Sequence, residues 1–218
     1  MAKKKTISKS DIITLYMDYV LEHNQNPKTI FAFSKMNNFE EAKFYEYFSS
    51  FEAVEKGVFE TLFTNTVTLL NESENYKIFD TRNKLLSFYY TFFENLTANR
   101  SYIEHVLGKY KTDFIGLKIL SGLKMNFTQY ISELGIKILV INQEQLEKIK
   151  DRALKESAWL HLILTMKFWL EDTSASFEKT DIYIEKSVNT TFDVLDIAPL
   201  KSVFDLSRFL FKDKFQMN

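Results

Sequence analysis

Helix breakers are scarce in this chain: its 218 residues include only 5 glycines and 2 prolines. A β-rich architecture needs a turn every eight to twelve residues or so, and turns draw heavily on these two residue types. Long uninterrupted helices need neither, so an all-α protein is expected. Hydrophobic residues make up 45% of the sequence, enough to bury a sizeable core. With 21 phenylalanines and 11 tyrosines, that core is expected to be lined by rings rather than purely aliphatic.

The same composition removes most chemistries. There is no cysteine, hence no disulfide, thiolate nucleophile or thiolate-held zinc. His23, His105 and His161 are far apart and lack metal-ligand spacing, so each is read as a core, cap or surface residue. No glycine-rich phosphate loop is present. The adjacent carboxylates Glu171 and Asp172 are read as a solvated helix end rather than an acid–base pair. No enzyme activity, cofactor or metal is therefore expected. The formal net charge of −1 means that nucleic-acid affinity must come from a local patch. Lys3, Lys4 and Lys5 lead into "TISKSDII", which lacks the apolar stretch of a signal peptide. The greasiest run, "WLHLILTMKFWL" at 159–170, is shorter than the roughly 20 residues needed to span a bilayer. A cytoplasmic location is expected.

The apolar spacing of "DIITLYMDYVLEH" predicts a helix over 11–23, with Ser10 or Asp11 as its cap and Asn24 or Asn26 left-handed at its end. Pro27 opens a short helix, Asn37 and Asn38 make a tight turn, and a second short helix spans about 40–46. Ser49 or Ser50 caps a long helix over 51–71. Three helices in fifty residues, with a tight turn between the second and third, is the helix-turn-helix layout. Longer helices follow at 81–98, 100–110, 113–135, 142–172 and 176–196, and Pro199 opens a last segment. Two parts are expected: a helix-turn-helix DNA-binding domain over 1–50, and a helical ligand-binding and dimerisation domain over 51–218.

Residues 12–54 resemble the TetR/AcrR family of bacterial transcriptional repressors. Thr29 stands where that family caps its second helix, with Phe33 and Ser34 in place of an Ile-Ala pair. Asn38-Phe39-Glu40 replaces Gly-Val-Ser, and Phe44-Tyr45-Glu46-Tyr47-Phe48 matches the Leu-Tyr-x-x-Phe motif. Glu52-Ala53-Val54 matches the next piece, although Phe51 stands where the family carries lysine. The resemblance implies a homodimeric, one-component regulator that binds a double-stranded operator and answers to a small effector. Its DNA contacts would fall on Lys28, Thr29, Lys43, Tyr45 and Tyr47, with Lys3, Lys4 and Lys5 as a basic arm. That arm either follows a groove of the duplex or is a solvated tail. Glu40 and Glu41 occupy the first turn of the reading helix, where negative charge opposes phosphate. Between residues 10 and 50, three lysines face six acids.

Two aromatic stripes bear on the body. Phe88 and Phe92 share one helical side, and Trp159, Ile163 and Met166 line another helix. Ordinary core, a dimer face and a ligand cavity are all consistent with such stripes. The resemblance implies a cavity, which these rings would fit to a large apolar or aromatic molecule, with Met125 and Met166 as adaptable filling. A second resemblance offers a rival function. "WLEDTSASFEKTDIYIEKSVN" at 169–189 is similar to the corresponding stretch of the TetR-shaped lipid-binding proteins of ubiquinone biosynthesis, which have lost DNA binding. The terminal "PLKSVFDLSRFLFKDKF" is an amphipathic basic segment that either packs on its own core or a partner, or makes peripheral membrane contact.

Overall fold

A computed structural model describes residues 6–108, 118–136 and 144–196. These fold as ten α-helices with two short 3₁₀ turns, and among the described residues there is no strand. The helices are α1 (Lys9–His23), α2 (Ile30–Met36), α3 (Glu41–Tyr45), α4 (Phe51–Glu72), α5 (Glu74–Ile78), α6 (Thr81–Ala98), α7 (Arg100–Leu107), α8 (Ser121–Glu133), α9 (Glu144–Glu171) and α10 (Glu178–Asp196). The all-α expectation holds. The terminal segment expected to be amphipathic, and Lys3, Lys4 and Lys5, lie outside the described residues.

Local signals set the ends of the first four helices. Neither Ser10 nor Asp11 caps α1. Ser8 does, in a reciprocal capping box: its Oγ accepts from the Asp11 amide at 3.2 Å, and the Asp11 carboxylate accepts from the Ser8 amide at 2.9 Å. Asn24 ends α1 in the left-handed region at φ 52°. Thr29 caps α2, its hydroxyl accepting from the Ala32 amide at 3.1 Å. Asn38 takes φ 56° in the turn before α3, at the position where the resembling family carries glycine. Ser50 caps α4 through the Ala53 amide at 3.3 Å.

The chain divides into two compact units, one formed by residues 1–77 and 88–129, the other by 78–87 and 130–218. In the first, rings gather around Phe33, which is fully buried. It meets Tyr16, Phe39, Phe44 and Phe51 edge-on at centroid distances of 6.5, 5.9, 6.4 and 5.6 Å. Phe51 also stacks on Tyr16 at 5.4 Å. Further along, Phe88 of α6 packs on Phe63 of α4 and Phe127 of α8 at 5.6 and 5.3 Å. Asn95 donates to the buried hydroxyl of Thr66 at 2.9 Å.

The second unit holds α9 against α10. Its polar anchor is Asp172, which corrects the reading of Glu171-Asp172 as a solvated end: Asp172 is only 6% exposed. One of its oxygens accepts from the amide and hydroxyl of Ser174 at 2.8 and 2.6 Å, the other from those of Thr180 at 2.9 and 2.7 Å. Burial opposes ionisation of this carboxyl, but the four donors together outweigh it and hold its pKa well below the usual carboxylate range. Arg82 pairs with Asp193 at 2.9 Å and lies over the Phe192 ring at 5.4 Å.

Gly57 of α4 permits a close approach. A methyl group there would stand 2.8 Å from the ring of buried Phe48. Gly57→Ala gains roughly 1 kcal/mol of helix propensity but overpacks the buried Phe48 ring, at about 1–3 kcal/mol. The expected outcome is a net loss of up to about 2 kcal/mol, read as a lower urea midpoint at unchanged m-value.

Candidate nucleic-acid interface and ligand-binding residues

The α2–turn–α3 segment presents its candidate DNA contacts to solvent. Lys28, Thr29, Lys43, Tyr45 and Tyr47 are all exposed, with Tyr45 and Tyr47 at 54% and 41%. Phe44 and Phe48, between and beside them, point inward and are buried. This alternation follows from the helical turn: the motif residues that hold α3 on Phe33 leave their neighbours facing out. Thr29 has a second duty, since its hydroxyl caps α2.

The charge on this face is partly spent. Lys43 Nζ lies 2.8 and 3.0 Å from the two carboxylate oxygens of Glu46, one turn on. That hydrogen bond, then the charge of Glu46, raises the lysine pKa above its usual value, with smaller help from Tyr47 and Glu40. Lys43 therefore stays charged but reaches the surface as one half of an ion pair. Phe31 and Met36 of α2 are also exposed, at 60% and 56%.

The candidate effector contacts fall into the two units separately. Phe88 and Phe92 are fully buried in the first, their rings stacked at 5.5 Å. Met125 belongs to the same unit but stands 67% exposed on α8. Trp159, Ile163 and Met166 form the buried face of α9 in the second, at 1%, 3% and 0% exposure. Among the described residues, the indole nitrogen of Trp159 has no hydrogen-bond partner.

Sequence reading missed a groove of about 580 Å³ between α9 and α10. His161 and Phe168 line it from α9; Tyr183, Lys186 and Ser187 do so from α10. Phe168 and Tyr183 stack at 4.6 Å, and His161 Nε2 lies 2.8 Å from Ser187 Oγ. The signal was present as spacing: His161 and Phe168 are seven residues apart, two helical turns on one face, and Tyr183, Lys186 and Ser187 repeat at three and four. Leu160 and Leu164 of α9 and Ile182 and Val194 of α10 are exposed at 41–50%. Among the described residues, no cluster of three metal-ligating side chains occurs and no helix is long and apolar enough to cross a membrane.

Burial pushes the His161 imidazole down to about 4. The unfolded chain, with an ordinary histidine pKa near 6.5, therefore binds the proton more readily than the folded one. Stability is expected to be unaffected by this group above about pH 6.5 and to fall as pH drops from there toward 4, by roughly 2 kcal/mol at pH 5. His161→Gln should flatten that part of a stability–pH profile measured by urea denaturation.

Comparison with known proteins adds one match. The family model described as "Tetracyclin repressor-like, C-terminal domain" matches residues 84–210, whereas no curated protein matches the chain. The matched stretch is more than half of the 218 residues, and it begins beyond residues 12–54, which carry the resemblance. The chain belongs to the tetracycline repressor-like (TetR) family of regulators.

Proposed function

We propose that the protein is a one-component, DNA-binding transcriptional regulator that acts as a homodimer and is controlled by an apolar or aromatic effector. Residues 1–50 form its reading head and residues 51–218 its effector and dimerisation body. The observation that carries this reading is the α2–turn–α3 segment: its inner side is locked on Phe33, while Lys43, paired with Glu46, and Tyr45 and Tyr47 face solvent. Lys28 and Thr29 at the start of α2 add backbone contacts, and Lys3, Lys4 and Lys5 add a basic arm. Phe88, Phe92, Met125, Trp159, Ile163 and Met166 are the proposed effector contacts. The protein acts in the cytoplasm.

The second copy is assigned to the α9–α10 face. Leu160, Leu164, Ile182 and Val194 are apolar and exposed there beside the groove, and burying such side chains is the main gain available to a homodimer. The proposed pairing predicts that Leu164→Glu with Ile182→Glu yields a monomer in analytical ultracentrifugation, with the helical circular dichroism spectrum retained.

A second reading, the TetR-shaped lipid carrier that no longer binds DNA, is favoured by one observation: Glu46 holds the ammonium of the reading helix's only lysine. The discriminating measurement is a salt titration of binding to duplexes from the region upstream of the coding sequence. The regulator should retard such a duplex at low salt. Lys43→Ala should weaken binding to every duplex tested and reduce the salt slope by about one, and Glu46→Gln, which frees Lys43, should tighten it. No retardation at low salt, together with a lipid that co-purifies in native mass spectrometry, would establish the carrier instead.

A further inference from the structure

The groove between α9 and α10 has no part in the proposed reading of DNA, and none of the proposed effector contacts lines it. Its volume, about 580 Å³, lies in the range of sites that hold small organic molecules. The stacked rings of Phe168 and Tyr183 give it an apolar wall, and Ile182 adds an aliphatic surface that is 50% exposed. His161 and Ser187 bond one another at 2.8 Å, and the Thr191 hydroxyl donates to the Ser187 carbonyl. The polar groups left for a guest are therefore those of Lys179, Lys186 and Thr190.

These two lysines differ from others in the chain. Lys43, Lys77 and Lys155 each sit on a carboxylate one helical turn away. Lys179 and Lys186 have no acid three or four residues away on either side, so their own helix cannot neutralise them. Both are exposed, and neither enters an ion pair among the described residues. With Ile182, Tyr183 and Thr190 they recur at three- and four-residue intervals, which makes one stripe of α10. The acids of that helix, Glu178, Asp181, Glu185 and Asp193, do not line the groove. An apolar trough is thus edged by two cations and, among the described residues, by no carboxylate.

We propose that this groove binds a small organic anion. An aromatic or aliphatic body lies along Phe168, Tyr183 and Ile182, and its anionic group is held by Lys179 or Lys186, with the Thr190 hydroxyl as a further donor. A lysine ammonium is a point charge on a flexible stem, so the site selects for charge more than for the shape of the anionic group. It is built from α9 and α10 of one copy and rests neither on DNA binding nor on the pairing of copies. Ile182 is shared with the proposed pairing face, so a second copy seated there would roof the guest.

Isothermal titration calorimetry of the full chain tests it, with octanoate and 2-naphthoate as probes, each beside the corresponding neutral alcohol. At least one anion should bind about fivefold or more tighter than its alcohol, and its addition should shift the amide signals of Tyr183 and Lys186. Lys179→Gln combined with Lys186→Gln should remove that preference and leave the affinity for the alcohol unchanged. In the wild type, about 1 M sodium chloride should shrink the same preference. Binding of neither anion, equal binding of anion and alcohol, or a preference that survives the double substitution or the salt overturns the proposal. Sedimentation of the same samples reports the pairing separately: a monomer that keeps the charge preference ends the proposed dimer and upholds the groove, whereas a dimer without it does the reverse.

Discussion

The first unit depends on the edge-to-face packing of rings on Phe33. Rings pack well when the positive edge of one meets the negative face of another, and the contacts of Phe33 with Tyr16, Tyr19, Phe39, Phe44 and Phe51 are of this kind, with interplanar angles between 75° and 89°. One side chain thereby touches α1, α4, α3 and the turn before α3. A helix of five residues has no stability of its own, so α3 exists because Phe44 is anchored in this cluster. The motif that makes the head recognisable is accordingly a packing motif: Phe44 and Phe48 are buried, and Tyr45 and Tyr47 face outward because their neighbours cannot.

This separates two properties that the motif is usually taken to join. Shape is carried by the buried positions and charge by the exposed ones, and the two are free to change independently. Here the shape is kept while the charge is diluted. The ammonium of Lys43 is shared with Glu46, and Glu41 opens the first turn of α3. An exposed ion pair one turn apart contributes little to stability, on the order of 0–1 kcal/mol, so Glu46 is not there to hold the helix together. Its effect is on what Lys43 offers to a partner. Under the proposed DNA-binding role, a phosphate would have to displace a carboxylate already seated on that ammonium, which would shift weight from uniform electrostatic attraction to contacts through Tyr45 and Tyr47.

Helix placement was largely legible from sequence, because breakers are few. The span 81–98 is reproduced residue for residue, and the left-handed turn residue Asn38 sits where the resemblance places a glycine. Short-range competition was harder to read. Ser8, Ser10 and Asp11 all suit a cap, and Ser8 is chosen because only it has Asp11 three residues on to complete the reciprocal pair. The short helix α5 falls between the helices expected over 51–71 and 81–98, and burial of Tyr76 organises it. Long-range burial was not legible at all for Asp172. Its exposure depends on how the chain after α9 folds back to bring Thr180 within 2.9 Å, and no local pattern encodes that. The same holds for Met125, whose type suits a core but whose place on α8 is open. The candidate DNA contacts were legible as exposed positions; that Lys43 arrives already paired required the rotamer.

The few buried polar groups have a role that the rings cannot fill. Burial of phenylalanine is strongly favourable but tolerant of small rotations and slips, since one apolar neighbour replaces another at little cost. A carboxylate that needs two or four donors has no such tolerance. Asp172 fixes where α10 starts relative to the end of α9, because only one placement of Thr180 satisfies it. Thr66 and Asn95 fix the register of α4 against α6 in the same way. Glu55 ties α4 to α1 and to the α1–α2 connection by accepting from Tyr16 and Asn26. Where donors and acceptors balance, a polar contact locks one geometry.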